Sequence, residues 1–194
     1  MILHLVRHGK PVIDQARPAD TWPLAPEAAA DVLRLRDAGV LPTRGRWFSS
    51  REPKALDTAR LLTAEHVEVV DDLGEQRRTA RWFDGAVEFR AVVHRAHARP
   101  DAEVVPGWEP LTRTRRRVTA AADTICFEAN GVDVVMAGHG TAWTLLVAEL
   151  TDAEPDLHAW AAMTMPDHCA VEVVARRITS PWGIWRNSAQ PTSL

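Results

Sequence analysis

Tyrosine does not occur in this chain of 194 residues, and cysteine occurs only at Cys126 and Cys169. Both cysteines sit in apolar stretches with no secretory leader ahead of them. A disulfide framework is therefore excluded, and both are read as small buried residues or free thiols. No run approaches the roughly 18 apolar residues of a membrane-spanning helix, so no membrane partner is expected. The amino terminus lacks the order of basic stretch, apolar stretch and small-residue cleavage site that marks an exported protein, and 2–6 is too short an apolar run. The cytoplasm is the expected location. Charge of one sign is not in excess either. The 23 Lys and Arg against 26 Asp and Glu leave a net charge of −3, which argues against nucleic acid as a partner. Neither a Gly-x4-Gly-Lys loop nor a His-Glu-x-x-His pair occurs, and no repeat or low-complexity segment interrupts the chain.

What is present fits one soluble α/β domain over 1–194. Apolar residues make up 46% and charged residues 25%, and the length suits one sizeable core. Strand and helix signals alternate. Residues 2–6 form a short branched strand, followed by a loop to about residue 25. A helix is predicted over 26–39, with Pro26 in its first turn and Gly39 ending it. Strands are predicted at 46–50, 67–70 and 132–138, and helices at 52–66, 84–100, 109–131 and 141–150. Two edge strands are expected at 170–176 and 183–186. Residues 72–108 break the rhythm and are read as a helical insertion over the site. The eight tryptophans either fill the core or, at Trp82, Trp108 and Trp143, line a cleft.

The chemistry concentrates at two strand ends. The first strand runs into Arg7-His8-Gly9, and the strand at 132–138 runs into His139-Gly140, with Thr141 able to cap the next helix. In a parallel sheet such ends share one edge, where ligands collect. His8 and His139 can therefore meet. The glycines allow close backbone approach, and the helix starts behind both loops favour an anion such as phosphate. Either histidine alone would read as a turn residue. The pair, with Arg7 beside one of them, reads as a site.

"LVRHG" with a later "GHG" resembles the histidine phosphatase superfamily, also called the phosphoglycerate mutase-like family. The likeness extends in order along the chain. "PLAPEAAADVLRL" is similar to the family segment after the first loop, and "SSREPKALDTARLL" to its serine-led second helix. "LGEQRR" is similar to the segment bearing its acidic residue, and "PGWEP" to a later turn. The resemblance implies a three-layer α/β/α sandwich with a mostly parallel sheet. It implies phosphomonoester hydrolysis through a phosphohistidine on His8. Arg7, Lys54, His139 and Gly140 would bind phosphate, with His139 protonated, and Glu75 would protonate the leaving group. A small phosphorylated substrate is implied. No cofactor and no metal are, and a homodimer stays open. The alternatives are a phospho-ligand-binding or scaffolding protein with weakened catalysis, or a phosphomutase.

Three departures from the family pattern stand out. Lys54 replaces the usual arginine, keeping the charge and losing the bidentate fork, with Arg51 as the candidate substitute. Lys10 and Pro11 follow the first motif where acidic or amide and hydroxyl residues are usual. Asp14 stands where the mutase branch carries asparagine, which argues against a glycolytic mutase. Arg113, Arg115, Arg116 and Arg117 are read as a solvated helix face, with one of them free to pair with Glu109. Arg77, Arg78 and Arg81 are read either as a cationic rim near Glu75 or as an exposed loop. His94 and His97 lie one helical turn apart without a carboxylate or thiolate partner, so they are not read as a metal site.

Overall fold

The computed structural model describes residues 1–79, 83 and 85–188, with only the backbone of Ala86 and Ser188. Arg81 and Trp82, both singled out above, lie outside the described residues. The strands are β1 (Ile2–Arg7), β2 (Arg46–Ser49), β3 (Val67–Val69), β4 (Val134–Gly138), β5 (Asp167–Glu172) and β6 (Arg177–Ser180). The helices are α1 (Ala29–Asp37), α2 (Pro53–Leu62), α3 (Ala86–Ala98), α4 (Leu111–Glu128), α5 (Gly140–Thr151), α6 (Leu157–Ala162) and α7 (Trp185–Ser188). They build one sheet in the order β3-β2-β4-β1-β5-β6. The pairs among β1, β2, β3 and β4 are parallel, whereas β5 and β6 join antiparallel.

The most apolar strands lie in the middle, as strands covered on both faces must. β4 is buried throughout and β1 in its four inner residues. Alternation along the strands then sorts side chains to opposite faces. Leu3, Leu5, Phe48, Val134 and Met136 pack with Val118 and Ile125 of α4 and Leu146 of α5. Val6, Trp47, Val135 and Ala137 pack with Val32 and Leu35 of α1 and Ala59 and Leu62 of α2. These two cores are the outer joints of a three-layer sandwich. Each fully buried leucine contributes about 1.5–3 kcal/mol relative to exposure.

Register places the site. Arg7 lies opposite Gly138, and Ser49 opposite Ala137. The carboxyl ends of β1, β2 and β4 are therefore level, and the residues that follow each strand face one another. Gly138 is required there for a second reason. A Cβ on it would stand 2.4 Å from Cζ2 of Trp143, whose indole N–H donates to the Val6 carbonyl at 2.9 Å.

Several expectations shift. The helix expected over 26–39 opens as a 3-10 turn at Pro26–Ala28 before α1 begins. α2 stops at Leu62 because Thr63 turns extended. β5 starts at Asp167, earlier than the strand expected at 170–176. The segment 183–186 is not a strand. Gly183 turns at φ +81, and Trp185 is drawn onto the α1–α2 core with its indole N–H on Asp167 Oδ1 at 3.0 Å. The second strand of that hairpin is β6, and α6 was not foreseen. Asp156 starts α6 by accepting the Ala159 N–H at 2.8 Å.

Within 72–108, α3 brings Val92 against Val105 and Trp108, with Phe83 and Phe89 completing a small apolar cluster. The Thr79 N–H donates to the Gly107 carbonyl at 3.1 Å and the Glu109 N–H to Arg77 at 2.8 Å, which closes the insertion on itself. Among the described residues, no helix is long and apolar enough to cross a membrane.

Candidate active site

A cavity of about 920 Å³ opens at the level strand ends. Arg7, His8, Lys54, Glu75, His139 and Gly140 all line it. The tertiary structure thus brings together the six residues to which the resemblance gives catalytic or phosphate-binding roles.

His8 is buried, and its Nδ1 lies 2.6 Å from the Gly9 carbonyl oxygen. A carbonyl only accepts, so Nδ1 carries the hydrogen and Nε2 keeps a lone pair. Burial is the chief cause of a pKa well below the ordinary histidine value, and His139, Lys54 and Arg7 add to it. The ring is neutral. Thr58 sets the loop in place. Its hydroxyl donates to the Lys54 carbonyl at 2.6 Å and accepts the Gly9 N–H at 3.0 Å, which ties α2 to the end of β1.

His139 faces His8 with ring centroids 5.2 Å apart and planes at 60°. It is fully buried, with Nε2 at 2.7 Å from Ser50 Oγ and 3.2 Å from Glu52 Oε1. The negative Glu52 oxygen beside Nε2 favours the tautomer with its hydrogen on that nitrogen. Burial, then Lys54, push the His139 pKa down to about 3, against the pull of Glu75. The expectation of a protonated His139 is therefore not met in this structure: removal from water outweighs the nearby carboxylates.

Lys54 is buried and donates to the Ala19 carbonyl at 2.6 Å and to Glu52 Oε2. An ammonium has three hydrogens, so one remains for a ligand. Arg51 does not share this place. It stands exposed at the rim, paired with Asp71 at 2.7 Å. Arg7 donates from Nη1 to the Met163 carbonyl at 2.9 Å, while its buried Nε has no partner among the described residues.

Glu75 caps α5. Its oxygens accept the N–H groups of Thr141 and Ala142 at 3.0 Å each, and that of Gln76 at 2.9 Å. Burial pushes its pKa up, but Arg78, His139 and the backbone donors outweigh it and hold the carboxyl below its usual range. Arg78 turns inward. Its guanidinium lies 4.3 Å from the Trp108 ring centre and donates to Thr141 Oγ1 at 3.2 Å. Of the arginine cluster, Arg117 pairs with Glu109 at 2.9 Å and donates to the carbonyls of Asp72, Gly74 and Glu75. It straps the Glu75 segment to α4. Arg115 pairs instead with Glu149 at 2.6 Å.

Other sequence-level candidates fall elsewhere. Trp143 belongs to the core, and Trp108 lies beneath Arg78. The cavity takes its aromatic lining from Trp22, Phe89 and Trp160. Asp14 accepts the Ala16 N–H at 3.0 Å in a turn and does not line the cavity. His97 has a pKa of about 4, lowered by burial and then by His94, and no metal-holding cluster exists among the described residues. Glu52 and Ser50 were missed. Their signal was faint: Pro53 at the first turn of α2 leaves Glu52 extended at the N-cap, next to a strand end.

The model of the histidine phosphatase superfamily, branch 1, matches residues 3–181. The chain belongs to that superfamily. Solved structures agree on the fold. Bacillus stearothermophilus YhfR superposes with a TM-score of 0.71 at 20% identity, covering 92% of this chain and 94% of that one. The alpha-ribazole phosphatase of Shigella flexneri gives 0.69 at 16%, covering 93% and 94%. The mycobacterial glucosyl-3-phosphoglycerate phosphatase gives 0.65 at 18%, covering 87% and 88%. A search of curated sequences finds no match.

Proposed function

We propose that this histidine phosphatase superfamily member hydrolyses a small anionic phosphomonoester through a phosphohistidine on His8. One observation carries the reading: a neutral His8 whose Nδ1 hydrogen is committed to Gly9, so that the Nε2 lone pair is the free nucleophile in a cavity with Arg7 and Lys54. Nε2 attacks phosphorus, and the phosphorus–oxygen bond to the leaving group breaks with its electron pair going to oxygen. Glu75, ionised before substrate enters, would relay to that oxygen the proton that a monoanionic phosphoester brings into the site. Water then attacks the phosphohistidine, releasing phosphate and restoring His8. Arg7, Lys54 and the N–H of His139 would neutralise the phosphoryl oxygens as charge builds, the role a metal plays in other phosphoryl-transfer sites.

Rapid quench with labelled substrate is expected to trap an acid-labile, base-stable adduct that His8→Ala abolishes. Label on serine, aspartate or cysteine would refute the mechanism. Extensive chelation should leave turnover nearly unchanged. Loss of activity restored by one divalent metal would contradict the metal-free reading.

A second reading has a specific support. Lys54 is already paired with Glu52, and Glu75 is held in its ionised form, which suits a phospho-ligand binder with weakened catalysis. Turnover of a generic aryl phosphate separates the two.

A further inference from the structure

Glu52 is a carboxylate in the middle of a site built for anions. It is 7% exposed, and the partners that satisfy it are mostly those a phosphoryl group would need. Oε2 takes the Lys54 ammonium. Oε1 lies 3.2 Å from His139 Nε2 and accepts the Glu75 N–H at 2.8 Å.

The groups around it form a ledger of charge. Arg7 and the neutral His8 face it from the end of β1, and Lys54 from the start of α2. Glu75 and Arg78 come from the segment after β3, and the neutral His139 from the end of β4. On α4, Arg117 is cancelled by Glu109, and Asp167 of β5 stands behind Arg7. At the rim Arg51 and Arg77 are matched by Asp71 and Asp72. The inner wall thus holds three cations and two carboxylates, one net positive charge. A phosphoryl dianion exceeds it by one.

We propose that Glu52 is a positioning residue that holds Lys54 and His139 ready for the phosphoryl group and takes up a proton when a dianion displaces it from them. The inference rests on the phosphate-binding reading above. Glu75 keeps Arg78 and its backbone donors when an anion enters, so its charge stays compensated. Glu52 loses the ammonium and the imidazole N–H and retains one backbone donor. A buried carboxylate stripped of its partners is neutralised rather than left charged. The proton comes from solvent. Removing the carboxylate leaves two net positive charges on the wall, which match a dianion with no proton.

The test is calorimetric binding of tungstate, a tetrahedral dianion that carries no proton at neutral pH, in two buffers of different ionisation enthalpy. Wild-type protein is expected to take up close to one proton per tungstate. Glu52→Gln should take up almost none and bind on the order of tenfold tighter, while Glu52→Asp, which keeps the charge, should retain the uptake. Tungstate binding without proton uptake in the wild type overturns the role of Glu52 and leaves the phosphate site standing, whatever the variants do. Undiminished uptake in Glu52→Gln, lost instead in Glu75→Gln, moves the proton to Glu75 and also overturns it. Failure of the wild type to bind tungstate at all refutes the phosphate-binding reading, and this inference with it.

Discussion

Glu75 and His8 owe their chemistry to what their other atoms are doing. In the proposed mechanism His8 is the nucleophile, because Gly9 holds its second nitrogen in the donor role. Glu75 has the opposite problem. Arg78, with the backbone donors that position it, keeps it ionised despite burial, so its value as an acid depends on the charge of the incoming phosphoryl group. General acid assistance is worth about 10²–10⁴-fold. It matters most where the leaving alkoxide is strongly basic. Glu75→Gln is therefore expected to depress turnover of an alkyl phosphate far more than that of a nitrophenyl phosphate, whose leaving anion is already stable. Steady-state rates on the two substrates measure the difference. Equal losses would assign Glu75 to capping α5 alone.

Among the elements, α4 does more than cover the sheet. Its inner face packs Val118 and Ile125 into the core, while Arg117 reaches three carbonyls in 72–75 and the Glu109 carboxylate. That segment has little regular structure of its own, so its backbone depends on such outside donors. Arg117→Met keeps the stem and deletes the guanidinium. It strands a carboxylate with a side chain only 8% exposed. The expected cost is about 3–5 kcal/mol in urea-induced unfolding. Activity should fall along with it, because the Glu75 loop loses its tether. A variant with wild-type stability would show that Thr114 and the Arg77 N–H satisfy Glu109 by themselves.

At the scale of the whole molecule, the buried histidines couple stability to acid. Burial drives His139 to about 3, opposed by Glu75, and drives His168 to about 3 with help from His4; burial likewise lowers His8 and His4. An unfolded chain titrates these rings near 6.5. Below that value the unfolded state binds protons that the folded state refuses. Their contribution is therefore fully present above about pH 6.5 and is lost as pH falls toward the folded values near 3. Urea midpoints should drop steadily over that window. His168→Asn, which removes one such ring from the β1–β5 pair, should flatten the slope, and an unchanged slope would place the linkage elsewhere.

Much of this was legible before any coordinates. Apolar runs named the central strands, because a strand covered on both faces must be apolar throughout. Glycine next to histidine at two strand ends named Arg7, His8, His139 and Gly140, because a parallel sheet has one carboxyl edge. Local patterns failed where a distant contact won. Trp185 reads as part of a strand until Asp167 and the α1–α2 core capture it. Trp143 reads either as core or as cleft lining until Gly138 leaves a slot for it. Glu52 reads as the polar first residue of a helix. Only the meeting of three strand ends makes it a buried carboxylate between an ammonium and an imidazole. The identity of the proposed reacting groups is thus written in short stretches of chain, since it depends on which residue ends which strand. Their protonation depends on burial and on charges from distant segments, and those exist only once the chain has folded.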